Sequence, residues 1–365
     1  KITYLNQDRD GTIWLSTNGI GIRYAHPQMG KFQTIHFNDY INGANNIIPV
    51  SIIEDRPGSL ICFTKLDGAY KIIFDRQHTF IEPYKDLNLP ARSDVANAEK
   101  DAEGRYWIST FDGLLLFSPT DHSLYHVTDS TLIGLSATTI ADGSVVFASP
   151  QKGLHRGAVS EEGMIQFGLI ENVPQNGWYS PVMTDHRGRI WADQLLREYF
   201  VFDPSDFKLI GSCPINGFPK SMCASGDGKT IWIASSTGLY ELEDSSFQIR
   251  RVFNTTTGFP VTNMVSMLKD DHEKLWLGHS SGIVSYDLAS GTTRSYTHAH
   301  GLSTNEYTSA ACASSDGSFW YGSSDGITRF DPEQIKDYSI RAIPQITDLQ
   351  INDRLPGDHM TCALT

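Results

Sequence analysis

The chain of 365 residues carries 29 basic and 42 acidic side chains, which gives a net charge of −13 at pH 7. A protein that neutralises phosphate groups needs the opposite charge, so neither nucleic acid nor an anionic membrane surface is expected as a partner. The sequence has no apolar run long enough to span a bilayer and no recognisable signal peptide. Because it begins in the middle of a pattern, we expect it to be part of a longer protein.

A hairpin motif recurs about every 44 residues, within the range of four-stranded propeller blades. In its clearest copy, Asp316–Pro332, two short apolar strands each follow an Asp-Gly turn signal. An apolar strand precedes most hairpins, a more amphipathic segment follows many of them, and no helical period is present. The pattern predicts an all-β fold, a β-propeller of four-stranded blades. The Trp position of the eight copies holds Trp14, Ile61, Trp107, Val146, Trp191, Trp232, Trp276 and Trp320.

Eight hairpins are compatible with two ring sizes. An eight-bladed ring uses every hairpin, whereas a seven-bladed ring excludes the first and takes Lys31–Phe37 as the outer strand of its last blade. We slightly favour eight blades, because the chain starts at an inner strand, and we place the propeller at residues 1–338. The repeat ends there, and Ile340–Asn352 is a Pro-bearing β segment. Residues 339–365 are therefore predicted to be the truncated start of a β-sandwich domain or a C-terminal extension.

The repeat pattern D-x-x-G-x-x-W-x-x-[ST]-x-x-G-[LI]-x-x-[YF]-D-P is plainest at Asp101–Pro119 and Asp316–Pro332. It resembles the two-component regulator propeller repeat, and the tail from Phe330 to Asn352 is similar to the junction where such propellers pass into a β-sandwich. The resemblance implies the periplasmic sensor region of a hybrid two-component histidine kinase that detects a small carbohydrate. It also implies adjoining sandwich and signalling domains and a homodimer. Kinase activity would lie outside this chain, so no enzyme activity is expected within it.

Other chemistries have simpler structural explanations. Asn6-x-Asp8-x-Asp10-Gly11 begins like a calcium loop, but Thr17 stands where the bidentate Glu belongs. Most acids lie in Asp-Gly and Asp-Pro turns, whose geometry explains them. Neither a metal nor a cofactor is predicted. A propeller enzyme acting on polysaccharide (a lyase or glycosidase) and a protein-interaction scaffold remain the alternative functions. The five cysteines show no C-x-x-C spacing and lie at Cys62, Cys213, Cys223, Cys312 and Cys362.

The connection between blades also repeats. An apolar residue precedes the inner strand, at Phe218, Phe259 and Leu302 among others, and it is predicted to pack between blades. Trp178 occupies the same position, so packing is favoured for it over stacking on a sugar. Tyr179 replaces the usual proline and is the better ligand candidate.

Three hairpins are irregular, and they define the predicted ligand site. The next glycine lies six positions after the Trp position in four copies but seven positions after it at Ile61 and Val146, and the Trp191 copy lacks that glycine. These loops lie on the usual binding face of a propeller, where function can override the fold's sequence rules. Mixed charge and amides suit a hydroxyl-rich or acidic sugar, and neutral drift in surface loops is the alternative explanation. The predicted ligand-binding residues are Lys65, Asp67, Gln151, Lys152, Tyr179, Asp193, Gln194 and Arg197.

Overall fold

The computed structural model describes residues 2–8, 11–19, 21–25, 30–41, 47–75, 78–90, 93–128, 132–150, 152–174, 179–194, 198–302 and 306–335. Their regular structure consists of β-strands and four single-turn 3₁₀ helices at Phe37–Asp39, Thr255–Thr257, His298–His300 and Pro332–Gln334. Within that part of the chain, no helix has the length and apolar character needed to cross a membrane. The chain divides into a unit of residues 28–335 and a unit of residues 1–27 and 336–365. The predicted sandwich segment, 339–365, lies outside the described residues.

The larger unit contains seven four-stranded antiparallel sheets, the blades of a propeller. Blade 1 consists of β5 (Pro49–Arg56), β6 (Ser59–Thr64), β7 (Ala69–Phe74) and β8 (Thr79–Pro83), and blade 2 of β9 (Val95–Lys100), β10 (Tyr106–Thr110), β11 (Gly113–Ser118) and β12 (Ser123–His126). Blade 3 consists of β13 (Ser136–Thr139), β14 (Val145–Ser149), β15 (Gly153–Val159) and β16 (Ile165–Leu169), and blade 4 of β17 (Tyr179–Thr184), β18 (Ile190–Gln194), β19 (Glu198–Phe202) and β20 (Leu209–Cys213).

The remaining blades follow the same order. Blade 5 consists of β21 (Pro219–Ala224), β22 (Thr230–Ser235), β23 (Gly238–Glu243) and β24 (Ile249–Phe253), and blade 6 of β25 (Met264–Lys269), β26 (Lys274–His279), β27 (Gly282–Asp287) and β28 (Thr293–Tyr296). Blade 7 takes β29 (Tyr307–Ala313), β30 (Phe319–Ser323) and β31 (Gly326–Phe330) from one end of the unit and β4 (Phe32–Ile35) from the other. The smaller unit contains a three-stranded sheet of β1 (Ile2–Gln7), β2 (Ile13–Thr17) and β3 (Gly21–Ala25).

The ring closes between blade 7 and blade 1. β4 pairs antiparallel with β31, and the inner strand β29 packs beside the inner strand β5. The ring of Phe32 lies 4.9 Å from that of Phe330, so β4 completes the buried core of blade 7. The prediction of an all-β propeller is confirmed. The preference for eight blades is corrected to seven, because β4 pairs with the last blade and the first hairpin remains a three-stranded sheet outside the ring unit.

A repeated contact fixes three of the buried tryptophans of the motif. The indole N–H groups of Trp107, Trp191 and Trp276 donate to the carboxylates of Asp101, Asp185 and Asp270 at 2.7–3.0 Å. The second oxygen of each carboxylate accepts two backbone N–H groups of the same turn. All three indoles are fully buried. These acids therefore satisfy buried donors and shape the turns, which accounts for their regular recurrence.

The first hairpin uses the same contact. Asp8 accepts the Trp14 indole N–H at 2.7 Å and the Thr12 backbone N–H at 2.9 Å. The calcium-like pattern around Asp8 thus has a structural explanation. In contrast to its counterparts in the ring, Trp14 is 41% exposed.

Side chains join neighbouring inner strands, which share no continuous sheet. Ser51 and Asn97 accept backbone N–H groups from the next blade, those of Ala98 and Ala137, at 3.0 and 3.1 Å. Ser136 contacts both the N–H and the carbonyl of Val182 in the same way. These bonds hold the inner strands around a central channel.

Candidate ligand-binding face and channel

One face of the ring collects the loops between second and third strands. The Lys65 N–H in the β6–β7 loop donates to the Ile48 carbonyl just before β5, at 2.9 Å, and the Lys65 carbonyl accepts the Val95 N–H. The Ser236 N–H in the β22–β23 loop donates to the Phe218 carbonyl before β21 in the same manner. These hydrogen bonds tie each loop to the start of an inner strand. We call this side of the ring the loop face and the opposite side, with the Asp-Gly turns, the turn face.

Four predicted ligand-binding residues lie at the loop face in the described chain. Lys65 and Asp67 are exposed in the β6–β7 loop, Lys152 is exposed in the β14–β15 loop, and Gln194 is half-buried at the end of β18. They belong to blades 1, 3 and 4. Gln151 and Arg197 lie outside the described residues. The selection of these residues as a ligand site stays a prediction.

Tyr179 does not fit the role predicted for it, because its side chain is fully buried. The hydroxyl donates to the Pro174 carbonyl at 2.8 Å, and the ring packs near those of Phe200 and Phe202. Burial raises the pKa of Tyr179 to about 12, so the phenol stays neutral at physiological pH. Tyr179 is thus a core residue of blade 4, and its choice as a ligand contact is corrected.

Asp193 is also fully buried and is not exposed by an irregular loop. It lies in β18 directly opposite Tyr199 of β19, and β18 extends one residue further to Gln194. Burial and the Asp193 carboxylate together raise the pKa of Tyr199. The selection of Asp193 for a surface site is corrected, because its pair with Tyr199 lies within the β18–β19 hairpin, one pair before the Gln194–Glu198 pair that ends it.

The loop of blade 1 is more open than the loops of regular blades. Gly282, which begins β27, has φ +152°, and a Cβ there would lie 2.1 Å from the Tyr296 carbonyl oxygen, so only glycine allows this close approach. At Gly68 in the longer β6–β7 loop, a Cβ would meet no atom within 4 Å. A cavity of about 420 Å³ lies beside that loop, with Asp67, Tyr84, Lys85 and Asn88 among its lining residues.

The central channel has a volume of about 780 Å³. The inner strands of six blades line it, and four charged side chains are among the lining residues. Two of the four are used in contacts between blades. The Glu54 carboxylate accepts the Ser315 N–H at 3.0 Å, and the Lys100 ammonium donates to the Glu54 carbonyl at 3.2 Å.

Glu99 and Lys220 are the other two charged residues of the channel. Burial raises the pKa of Glu99 to about 7, against the opposing effect of the Asn97 side chain. Burial lowers the pKa of Lys220, although solvent reaches its side chain through the channel. In the described chain no carboxylate forms an ion pair with Lys220.

Sequence reasoning missed both channel residues because it treated inner strands only as scaffold. A signal was available for Lys220, since the equivalent second residue of five other inner strands is uncharged. Those residues are Val50, Ala96, Ser180, Val265 and Thr308.

No group of three His, Cys, Asp or Glu side chains suited to a metal occurs in the described ranges. Cys62, Cys213, Cys223 and Cys312 are free thiols, and burial raises the pKa of each. Raised pKa values oppose formation of the reactive thiolate. Cys362 lies outside the described residues.

Comparison with known proteins gives one sequence relative and several structural neighbours. No protein-family model matches the chain. Over 125 residues the chain is 29% identical to Histidine kinase P4 of Formosa agariphila, a match that covers 33% of this chain and 9% of the relative. The chain thus spans about a tenth of that kinase.

Solved structures share the propeller fold. An extracellular domain from B. thetaiotaomicron, described as part of a hybrid two-component system, matches with a TM-score of 0.69 at 20% identity over 91% of this chain and 45% of that one. A second such domain from the same organism gives 0.62 at 14% identity over 82% and 39%. Virginiamycin B lyase from Staphylococcus aureus gives 0.62 at 12% identity over 82% and 98%. The predicted resemblance to propellers of two-component systems is confirmed, in fold by these extracellular domains and in sequence by the 125 residues shared with a histidine kinase.

Proposed function

We propose that this chain is the non-catalytic, ligand-sensing propeller of a two-component signalling protein and that its ligand is a carbohydrate. The similarity to a histidine kinase over 125 residues, together with the seven-bladed fold, is the observation that carries this proposal. The extracellular origin of two structural neighbours supports a location in the periplasm.

The ligand would bind at the loop face. Lys65, Asp67, Lys152 and Gln194 supply ammonium, carboxylate and amide groups there, which can hydrogen-bond to hydroxyl groups. The open β6–β7 loop and its 420 Å³ cavity give blade 1 the best-formed part of this surface. Arg197, which lies outside the described residues, is a further predicted contact.

Signalling requires that the ligand favour one of two arrangements of the full-length protein. A ligand that binds both arrangements equally well shifts no equilibrium, however tight its binding. The propeller would therefore transmit binding to the adjoining sandwich and signalling domains, in a homodimer. The proposed partners are these domains and a second copy of the protein.

The test is calorimetric titration with a library of glycan fragments, in parallel with a chromatographic assay for reaction products. Saturable binding without product is the expected result, and Lys65→Ala and Arg197→Ala should abolish binding if the irregular loops form the site. Product formation would refute the sensor assignment. Unchanged affinity in both variants would refute the position of the site, and binding of no glycan would favour the scaffold function.

Glu99 favours one competing function, cleavage of a polysaccharide. A carboxyl group with a pKa of about 7 in a channel has the property needed for a general acid at neutral pH. Glu99→Gln would abolish product formation if this second function were the right one. The same variant should leave the binding of a sensed glycan at the blade 1 loop unchanged.

A further inference from the structure

Phe218 departs from the packing of its repeat position. Phe259 and Leu302, which also precede inner strands, are only 6% and 2% exposed, as expected for residues that pack between blades. Phe218 is 48% exposed and lines the central channel. Its backbone is nevertheless fixed, because its N–H donates to the Ser236 hydroxyl at 2.9 Å and its carbonyl accepts the Ser236 N–H. The structure thus holds an aromatic ring at the channel by an ordered backbone.

Lys220 lies two residues further along, at the same end of the channel. Its ammonium nitrogen is 5.5 Å from the centroid of the Phe218 ring, within the range of a cation–π contact. The Lys220 side chain is exposed to the solvent of the channel, and among the described residues no carboxylate forms an ion pair with it. An ammonium group that lines a concave site and has no carboxylate partner is available to an anionic ligand.

The fold itself does not need a cation at this position. Valine, alanine, serine and threonine occupy it in other blades, so an uncharged side chain is compatible with the inner strand. The charge of Lys220 therefore needs an explanation outside the packing of the blade. The channel has room for a ligand, since its volume of about 780 Å³ falls within the usual range of ligand pockets.

We infer that Phe218 and Lys220 form a binding position for an oxyanion carried on a ring, such as a sugar ring with a carboxylate or sulfate group. The apolar face of the ring stacks on Phe218, and the oxyanion accepts charge-assisted hydrogen bonds from Lys220. This inference rests on the proposed function and narrows its ligand to acidic saccharides. It adds a site at the channel to the loop positions of blades 1, 3 and 4.

The experiment compares charged and neutral probes by calorimetric titration of the whole chain. The probes are the trisaccharides of galacturonate and glucuronate, galactose 6-sulfate, and the neutral trisaccharides of galactose and glucose. The variants are Lys220→Met, which removes the charge but keeps an unbranched side chain, and Phe218→Ala. Lys229→Met is the matched control, because Lys229 lies in the same blade at the turn face and its side chain is 80% exposed. Circular dichroism verifies that each variant is folded.

The expected result is binding of at least one anionic probe by the wild-type chain and by Lys229→Met. Lys220→Met should weaken that binding about 10- to 100-fold, the effect of one charge-assisted hydrogen bond. Phe218→Ala should weaken it about two- to tenfold. If only the uronates bind, the recognised oxyanion is a carboxylate, and if only galactose 6-sulfate binds, it is a sulfate.

Three outcomes would overturn the inference. They are no binding of any anionic probe, equal binding of neutral and anionic probes, and unchanged affinity in Lys220→Met. Neutral trisaccharides that bind without being cleaved would leave the sensor proposal standing while this inference fails. Cleavage of any probe would instead count against the sensor proposal.

Discussion

Removal of Arg189 is expected to destabilise the contact between blades 4 and 5 strongly. Its side chain donates to Asp185 at 2.6 Å and to the Asp244 carbonyl at 3.1 Å, and it also pairs with the Asp244 carboxylate. The Arg189 side chain is 12% exposed, and the two aspartate side chains are 2% exposed. Its guanidinium also lies 4.9 Å from the Phe247 ring centroid. In Arg189→Met, the buried Asp185 carboxylate therefore loses its cation, and the buried Asp244 carboxylate loses one of two, since Arg187 also pairs with it at 2.7 Å.

Breaking a buried ion pair by removal of one partner costs about 3–5 kcal/mol, far more than the loss of an exposed pair. With an m value of about 3 kcal/mol/M for a chain of this size, the urea midpoint should fall by about 1 M or more. Tryptophan fluorescence during urea unfolding measures this midpoint. Lys229→Met is the control, because its exposed pair with Asp227 should contribute less than about 1 kcal/mol. A midpoint for Arg189→Met within about 0.3 M of the control would refute the reasoning.

Three further predictions concern the repeat and the channel. Trp276→Ala should lower the free energy of unfolding in urea by about 3–5 kcal/mol, whereas Trp14→Ala should lower it less because the Trp14 indole is 41% exposed. Equal losses of unfolding free energy in the two variants would contradict the role assigned to burial. Gly282→Ala should lower the thermal midpoint by several degrees more than Gly68→Ala, since only the Gly282 Cβ collides with a carbonyl oxygen, and similar midpoints would argue against that close approach. The pKa of Glu99 in the folded chain is above its ordinary value, so its contribution to stability is complete below about pH 4.5 and is lost as the pH rises to about 7. The urea midpoint of the wild type relative to Glu99→Gln should fall across that window, and a constant difference would count against the shifted pKa.

The periodic part of the fold could be predicted from the sequence because each blade repeats the same requirements. The regular spacing of Trp107, Trp191 and Trp276 predicted that their side chains pack in the core between blades, and each of these indoles is fully buried. Closure of the ring could not be decided in this way. Phe32–Ile35 has the pattern of an outer strand wherever it pairs, and its partner β31 is at the other end of the unit.

The candidate site was harder to predict than the fold. Loop irregularity drew attention to Lys65 and Asp67, which are exposed, but Asp193 follows the same sequence signal and is buried in a strand. A missing glycine does not show which of the preceding residues lie in the strand and which lie in the loop. Lys220 was overlooked for a different reason, because a single charge in an inner strand has meaning only when seven such strands surround a channel.

Closure by β4 also has a consequence for how the protein is made. This strand leaves the ribosome before any other part of the ring, and β31 leaves near the end, so the ring cannot close until nearly the whole unit has been synthesised. Between its release from the ribosome and the docking of β4, β31 would present an unpaired edge. An incoming β4 from another copy would fit that edge equally well, so exchange of this one strand would join two rings without any new interface.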